Sequence, residues 1–70
     1  MTHPIKAYRH QYGLSLQSLA ERARTTRSTL SRIEAGLIKP SFDLLDRLTA
    51  ATGGEVSADA IIEASRKATA

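Results

Sequence analysis

Apolar residues recur at helical spacing in five short segments of the 70-residue chain, and each segment is bounded by residues that favour a helix end. In the first segment, Pro4 suits the opening turn and Gly13 closes it. Ile5, Tyr8 and Tyr12 are the apolar positions between them. No segment of any length alternates with the two-residue period of a strand. The pattern predicts an all-α protein, a compact five-helix bundle.

The second and third predicted helices are joined by a very short link. Ser15 is a suitable N-cap for the second helix, and Thr26 is a suitable N-cap for the third. The buried stripe of the second helix is predicted to be Leu16, Leu19, Ala20 and Ala23. Leu30 and Ile33 anchor the third helix, which Gly36 closes. The link leaves room only for a tight turn, so the two helices should cross closely, with the small Ala20 at the crossing.

The fourth predicted helix follows an extended loop, because a residue before proline, here Lys39, avoids helical backbone. Ser41 caps this helix, and the pair Gly53–Gly54 ends it. Its apolar stripe is predicted to be Phe42, Leu45, Leu48 and Thr52.

The fifth predicted helix begins after Val56, which is expected to be extended and buried, and Ser57 caps it. Ile61 and Ile62 are adjacent, so both cannot point fully inward. The outer one is either part of a subunit interface or simply exposed.

Length and composition indicate a single domain, residues 1–70, with its core within residues 5–62. A hydrophobic fraction of 41% is ordinary for a globular chain of this size, which is near the lower limit for folding alone. The absence of cysteine excludes disulfides and thiolate metal sites. No apolar run approaches a membrane span, and the N-terminus lacks a signal pattern. These features predict a cytoplasmic protein.

Charge is distributed unevenly along the chain. Residues 1–40 carry seven basic and two acidic residues, a net charge of +5, whereas residues 41–70 carry three basic and five acidic residues, a net charge of −2. This asymmetry suggests a face for a polyanion. The alternative is a solvated surface with chance asymmetry.

The third helix has an exposed side without an acid. Successive helical residues turn by about 100°, so the side opposite Leu30 and Ile33 can be read from the sequence. It consists of Ser28, Ser31, Arg32 and Ala35, with Arg27 close to it at the first turn, whereas Glu34 points to the flank. Short side chains allow close approach to a DNA major groove, and arginine and serine bind base edges there. An ordinary solvated face is the alternative.

Other chemistry is weakly supported. His3 and His10 lie seven residues apart without a neighbouring acid or cysteine, so exposed side chains are expected rather than a metal site. The serines have no histidine in a recognisable triad arrangement, and small helical domains rarely enclose a catalytic pocket. We therefore expect no enzyme activity, no cofactor and no metal.

Three short motifs give a more specific indication of the fold and function, because each lies at the distance from the others that one known family shows. They are "LA" at Leu19–Ala20, "STLSRIEAG" at Ser28–Gly36 and "KPS" at Lys39–Ser41. Together they make the chain resemble the lambda-repressor and Cro type of helix-turn-helix domain, often called the XRE family. The resemblance covers roughly residues 5–62, with the helix-turn-helix itself at about 16–35. In such domains the second of these two helices reads bases in the major groove.

The resemblance implies a set of DNA contacts. The expected base-contacting residues on the third helix are Arg27, Ser28, Thr29, Ser31 and Arg32. The expected backbone-contacting residues are Gln17, Arg24, Thr26, Lys39 and Ser41. Related domains also pair an arginine of the first helix with a glutamate near the end of the third. Here these residues are Arg9 and Glu34, so we expect a partly buried ion pair.

Two positions depart from the family pattern. The family usually has a phosphate-holding glutamine where this chain has Leu16, and Gln17 lies about 100° further around the helix. Leu16 is therefore expected to pack. The turn often contains glycine in left-handed backbone where this chain has Arg24, which would cost about 1 kcal/mol if that geometry is kept. Either a positive charge near DNA justifies Arg24, or the turn differs.

The sequence thus predicts a sequence-specific transcriptional regulator that binds double-stranded DNA, as a homodimer on a palindromic operator. With nothing outside the domain, the dimer would use the fifth helix and the end of the fourth. One alternative is an antitoxin-like protein whose acidic half binds a basic partner, with DNA binding secondary. Another is an adaptor in which the helix-turn-helix serves only as a scaffold.

Overall fold

A computed structural model of the protein describes the backbone of residues 3–69 and the side chains of residues 3–66. Its helices are α1 (Pro4–Gln11), α2 (Leu16–Arg22), α3 (Arg27–Glu34), α4 (Phe42–Ala51) and α5 (Ala58–Thr69). Residues 3–69 contain no strand, and the predicted five-helix all-α fold is confirmed. Within the same range, no helix is long and apolar enough to cross a membrane.

Hydroxyl side chains cap the N-termini of four of the helices, as predicted. The side chains of Ser15, Thr26 and Ser41 each accept a hydrogen bond from the backbone N–H three residues later. Ser57 Oγ accepts from the backbone N–H of Ala60 at 3.1 Å. These bonds satisfy N–H groups that have no partner within the helix. The caps therefore set where each helix starts.

His3 caps α1, which the sequence did not predict. Its Nδ1 accepts a hydrogen bond from the backbone N–H of Ile5 at 3.1 Å, and its side chain is buried. The expectation that both histidines are exposed is thus wrong for His3, because the free N–H groups of the first turn attract an acceptor. His10 is exposed, as expected.

The same hydrogen-bonded turn ends α1, α2, α3 and α4. After each helix, two successive N–H groups bond back to carbonyls of its last turn, the pattern of a Schellman motif. The residue at the centre of each motif has positive φ: Gly13, Arg24, Gly36 and Gly53. Arg24, at φ 55°, adopts this left-handed conformation without being glycine. The family's turn geometry is therefore kept, and Arg24 carries the associated strain of about 1 kcal/mol.

The core contains the predicted apolar positions of α2 and α3 except Leu16, which is half-buried and packs against its edge. Leu19, Ala20, Ala23 and Leu30 are fully buried, and Ile33 is 1% exposed. From the other elements it includes Ile5, Leu44, Leu45, Leu48, Val56 and Ile61. A small side chain at position 20 lets α2 and α3 approach closely, which fixes the helix-turn-helix geometry.

The predicted stripe of α4 was wrong at Phe42, which is 84% exposed, whereas Leu44 is buried. At 100° per residue, Phe42 points roughly 110° away from the mean direction of Leu44, Leu45 and Leu48 around the helix. The spacing from Phe42 to Leu45 fits a helical stripe, but Leu44 rather than Phe42 completes the side that meets the core.

Candidate nucleic-acid interface

The exposed side of α3 forms one wall of an open cleft of about 330 Å³. Its lining consists of Arg27, Ser28, Ser31 and Arg32 from α3, together with Leu16 from α2. Leu30 and Ile33 hold the opposite side of α3 in the core. The rotation of the helix is therefore fixed, and the four polar side chains are directed outward, where the sequence places them.

The cleft has a positive electrostatic character, because two guanidinium groups and no carboxylate line it. The acid of α3, Glu34, turns inward, and its side chain is only 6% exposed. Arg9 donates to it from Nε to Oε2 at 2.8 Å and from Nη2 to Oε1 at 2.9 Å. These bonds raise the pKa of Arg9. The predicted ion pair is thus present, and it removes the negative charge from the exposed side of α3.

Thr26 and Thr29 use their hydroxyl groups within the cap of α3. Thr26 Oγ1 accepts from the backbone N–H of Thr29 at 3.1 Å and donates to Thr29 Oγ1 at 2.8 Å. Thr29 is half-buried and does not line the cleft. The structure therefore does not bring these two threonines together with the four polar residues of the cleft.

Arg47 supports the turn between α2 and α3, a contact that the sequence analysis missed. Its Nη1 donates to the backbone carbonyl of Arg24 at 2.6 Å, and its Nε lies 3.1 Å from Oδ2 of Asp43. The spacing of Asp43 and Arg47, four residues apart on one helix, was the available signal. It predicts their pairing but gives no indication of the contact to Arg24, because that contact depends on how α4 packs against α2.

The predicted backbone-contacting residues lie outside the cleft. Gln17 is exposed, and its Nε2 donates to Oε1 of Glu21 at 3.1 Å on the outer side of α2. Ser41 is exposed, and its Oγ accepts from the N–H of Leu44 at 3.2 Å. Arg24 and Lys39 are exposed cations in the loops before and after α3. Positive charge therefore flanks α3 at both of its ends.

A second, largely apolar groove of about 320 Å³ lies between α5 and the start of α4. Its lining consists of Lys39, Pro40, Phe42, Leu45, Ile62, Ser65 and Arg66. Phe42 is 84% exposed and Ile62 is 38% exposed, whereas Ile61 is fully buried. Ile62 is therefore the outward-facing isoleucine, and the main exposed apolar surface of α4 is at its start rather than its end.

Comparison with known proteins identifies the family. A sequence model described as helix-turn-helix matches residues 5–58. An uncharacterized HTH-type transcriptional regulator from Methanothermobacter thermautotrophicus is 38% identical over 58 residues, which cover 83% of this chain and 84% of that protein. No solved structure matches this chain. The family match, the α2–turn–α3 geometry and the acid-free exposed side of α3 agree, and the chain belongs to the helix-turn-helix family of the lambda-repressor and Cro type.

Proposed function

We propose that this protein is a sequence-specific transcriptional regulator that places α3 in the major groove of double-stranded DNA. The observation that carries the proposal is the cleft, where two guanidinium groups and two hydroxyls face outward without an acid. A phosphate-lined groove attracts such a surface, and its base edges offer matching acceptors. The name of the archaeal relative, a transcriptional regulator, points the same way.

Arg27 and Arg32 are the main base readers in this proposal. Each guanidinium group can donate two hydrogen bonds to O6 and N7 of guanine. Ser28 and Ser31 add donors or acceptors at neighbouring base edges. Thr29 Oγ1 accepts a hydrogen bond from Thr26, so its own proton remains available to donate to a base or a phosphate.

The remaining polar residues position the protein on the DNA backbone. Arg24 and Lys39 supply charge to phosphates on either side of α3. Gln17, Thr26 and Ser41 supply uncharged contacts to the backbone. Such contacts fix orientation and carry little sequence information, so their loss would weaken binding to all duplexes alike.

The protein would act as a homodimer on a palindromic operator. A two-fold pair presents two reading helices to half-sites about one helical turn apart. The apolar groove is the surface for this contact, because Phe42 lines it and is 84% exposed, so pairing with the same groove of a second copy would remove its apolar surface from water. The groove includes Lys39, so the dimer contact would lie next to a predicted phosphate contact.

Selection from random duplexes followed by fluorescence anisotropy tests the proposal. The selected sequence should bind at least about a thousandfold tighter than a scrambled duplex at near-physiological salt. Arg32→Ala and Arg27→Ala should each remove most of this preference. Lys6→Ala is the matched control, because Lys6 is an exposed cation of α1 that does not line the cleft.

Failure to enrich any sequence would overturn the proposal. Equal, weak binding to all duplexes together with a co-purified protein partner would instead support the antitoxin-like alternative. No binding to any duplex even at low salt would support a role as a scaffold.

A further inference from the structure

One apolar side chain lines the cleft, although base recognition by arginine and serine does not require an apolar group there. Leu16 is the first residue of α2, and it lines the cleft beside Arg27, Ser28, Ser31 and Arg32. It is half-buried, because part of its side chain packs against the core while the rest faces the cleft. Its exposed part is therefore held in place by packing.

The chemistry of Leu16 restricts what can occupy this position. A leucine side chain cannot donate to a phosphate oxygen or to a base acceptor, and a polar group pressed against it would lose water without gaining a partner. In the major groove the apolar group within reach is the C5-methyl group of a pyrimidine, which thymine carries. The surrounding guanidinium and hydroxyl groups can bind the neighbouring base edges at the same time.

We propose that Leu16 is a specificity-determining residue that contacts a pyrimidine C5-methyl group next to the base pairs read by Arg27 or Arg32. This inference rests on the proposed function, because it requires that α3 enters the major groove. It adds a preference that the polar residues of α3 alone do not provide. The methyl group comes from thymine or from 5-methylcytosine, which present the same apolar group at the same place in the groove.

The test uses wild-type protein and the duplex obtained by selection. Each thymine is replaced in turn by deoxyuracil, which removes only the methyl group. One position within each half-site should bind about fourfold more weakly, the loss expected for one methyl group. The same replacement should have no effect on Leu16→Ala or Leu16→Gln, whereas Leu16→Met, which keeps an apolar side chain of similar volume, should remain sensitive.

Two further measurements make the result unambiguous. At the sensitive position, tighter binding of thymine than of 5-methylcytosine paired with guanine identifies thymine as the source, and the reverse order identifies the methylated base. Thermal unfolding followed by circular dichroism checks that each Leu16 variant is folded under the binding conditions. Leu16→Met covers the case in which Leu16→Ala fails to fold.

Three outcomes would overturn the inference. The first is that no thymine is sensitive to loss of its methyl group, and the second is that Leu16→Gln shows the same sensitivity as wild type. In both, sequence-specific binding persists and the proposed function stands. The third outcome, in which selection enriches no sequence, would overturn the proposed function as well.

Discussion

Arg9 and Glu34 join α1 to the end of α3 through two hydrogen bonds of 2.8 and 2.9 Å, one to each carboxylate oxygen. Their side chains are 11% and 6% exposed, so solvent screens the pair only weakly. Arg9 also donates from Nη1 to the carbonyl of Leu14 at 3.1 Å, which ties in the link between α1 and α2. One guanidinium group therefore connects three segments of the chain.

Removing one member of this pair should strand the other charge in a poorly hydrated site. We expect Glu34→Ala and Arg9→Ala each to lower the free energy of unfolding by about 3 kcal/mol. Arg9→Ala should cost more, since it also leaves the Leu14 carbonyl without its donor. Urea unfolding of both variants and of the double variant measures the coupling. A coupling energy below about 0.5 kcal/mol would show that the pair does not stabilise the fold.

Two substitutions at Arg24, which has left-handed backbone, separate the effect of backbone strain on stability from the effect of charge on DNA binding. Arg24→Gly relieves the strain at φ 55°, whereas Arg24→Ala keeps it, so Arg24→Gly should be the more stable by about 1 kcal/mol. Both variants lose the same positive charge, so both should weaken DNA binding equally. Thermal unfolding and anisotropy measure the two effects. Equal stability of the two variants would argue against strain at this position.

The buried cap of α1 predicts a pH dependence of stability. Burial lowers the pKa of His3 from its ordinary value of 6.5, an effect that the nearby Glu34 carboxylate partly opposes. The unfolded chain therefore binds the proton more readily, and the free energy of unfolding should fall as the pH drops through 6.5 toward the lower folded pKa. Protonation also turns Nδ1 from an acceptor into a donor, which breaks the bond from Ile5.

His3→Ser is the variant that tests this dependence, because serine keeps a capping acceptor but does not titrate. Its free energy of unfolding should change less than that of wild type between pH 7.5 and about pH 5. Chemical unfolding at a series of pH values gives the comparison. If the free energy of unfolding of wild type and of His3→Ser changed in parallel with pH, His3 would not be the source of the pH dependence.

The proposed dimer predicts a selective effect of the exposed Phe42. Phe42→Ser should weaken self-association at least about tenfold, as loss of an interface anchor does, and should reduce binding to a palindromic site more than to a half-site. Its stability should change by less than about 0.5 kcal/mol, because the ring is 84% exposed. Sedimentation equilibrium measures association.

Leu37→Ser is the matched control for this prediction. Leu37 is also strongly exposed, at 73%, but it does not line the groove. A wild-type protein that remains monomeric at high concentration and binds DNA as one copy per site would rule out the dimer. Equal loss of association in both variants would point to general surface hydrophobicity rather than to the groove.

The helices and caps were predictable because they depend on neighbours along the chain. Ser15, Thr26 and Ser41 occupy positions where a local hydrogen bond decides the structure, and the periodicity of Leu30 and Ile33 sets which side of α3 faces out. The pairing of Arg9 with Glu34 came from the family resemblance, since nothing in a separation of 25 residues reveals it.

Other features depend on contacts between residues far apart in the chain, which no local pattern of residues indicates. The contact of Arg47 with the Arg24 carbonyl requires α4 to lie beside the turn. His3 accepts a local hydrogen bond from the N–H of Ile5, but its burial and its proximity to Glu34 of α3 depend on tertiary packing. The prediction that Phe42 belongs to the buried stripe of α4 was wrong because an apolar residue in the first turn of a helix can satisfy helical periodicity without facing the core.

The four polar side chains of the cleft are exposed, and none makes a hydrogen bond or ion pair with another side chain in the part of the chain that the structure describes. Helix-compatible substitutions at Arg27, Ser28, Ser31 and Arg32 therefore remove no side-chain contact that stabilises the fold, so under the proposed function recognition can change there at little thermodynamic cost. Leu16 differs, because it belongs to both the cleft and the packed interior. Divergence at that position is constrained by folding as well as by recognition, and it should proceed more slowly than divergence along α3.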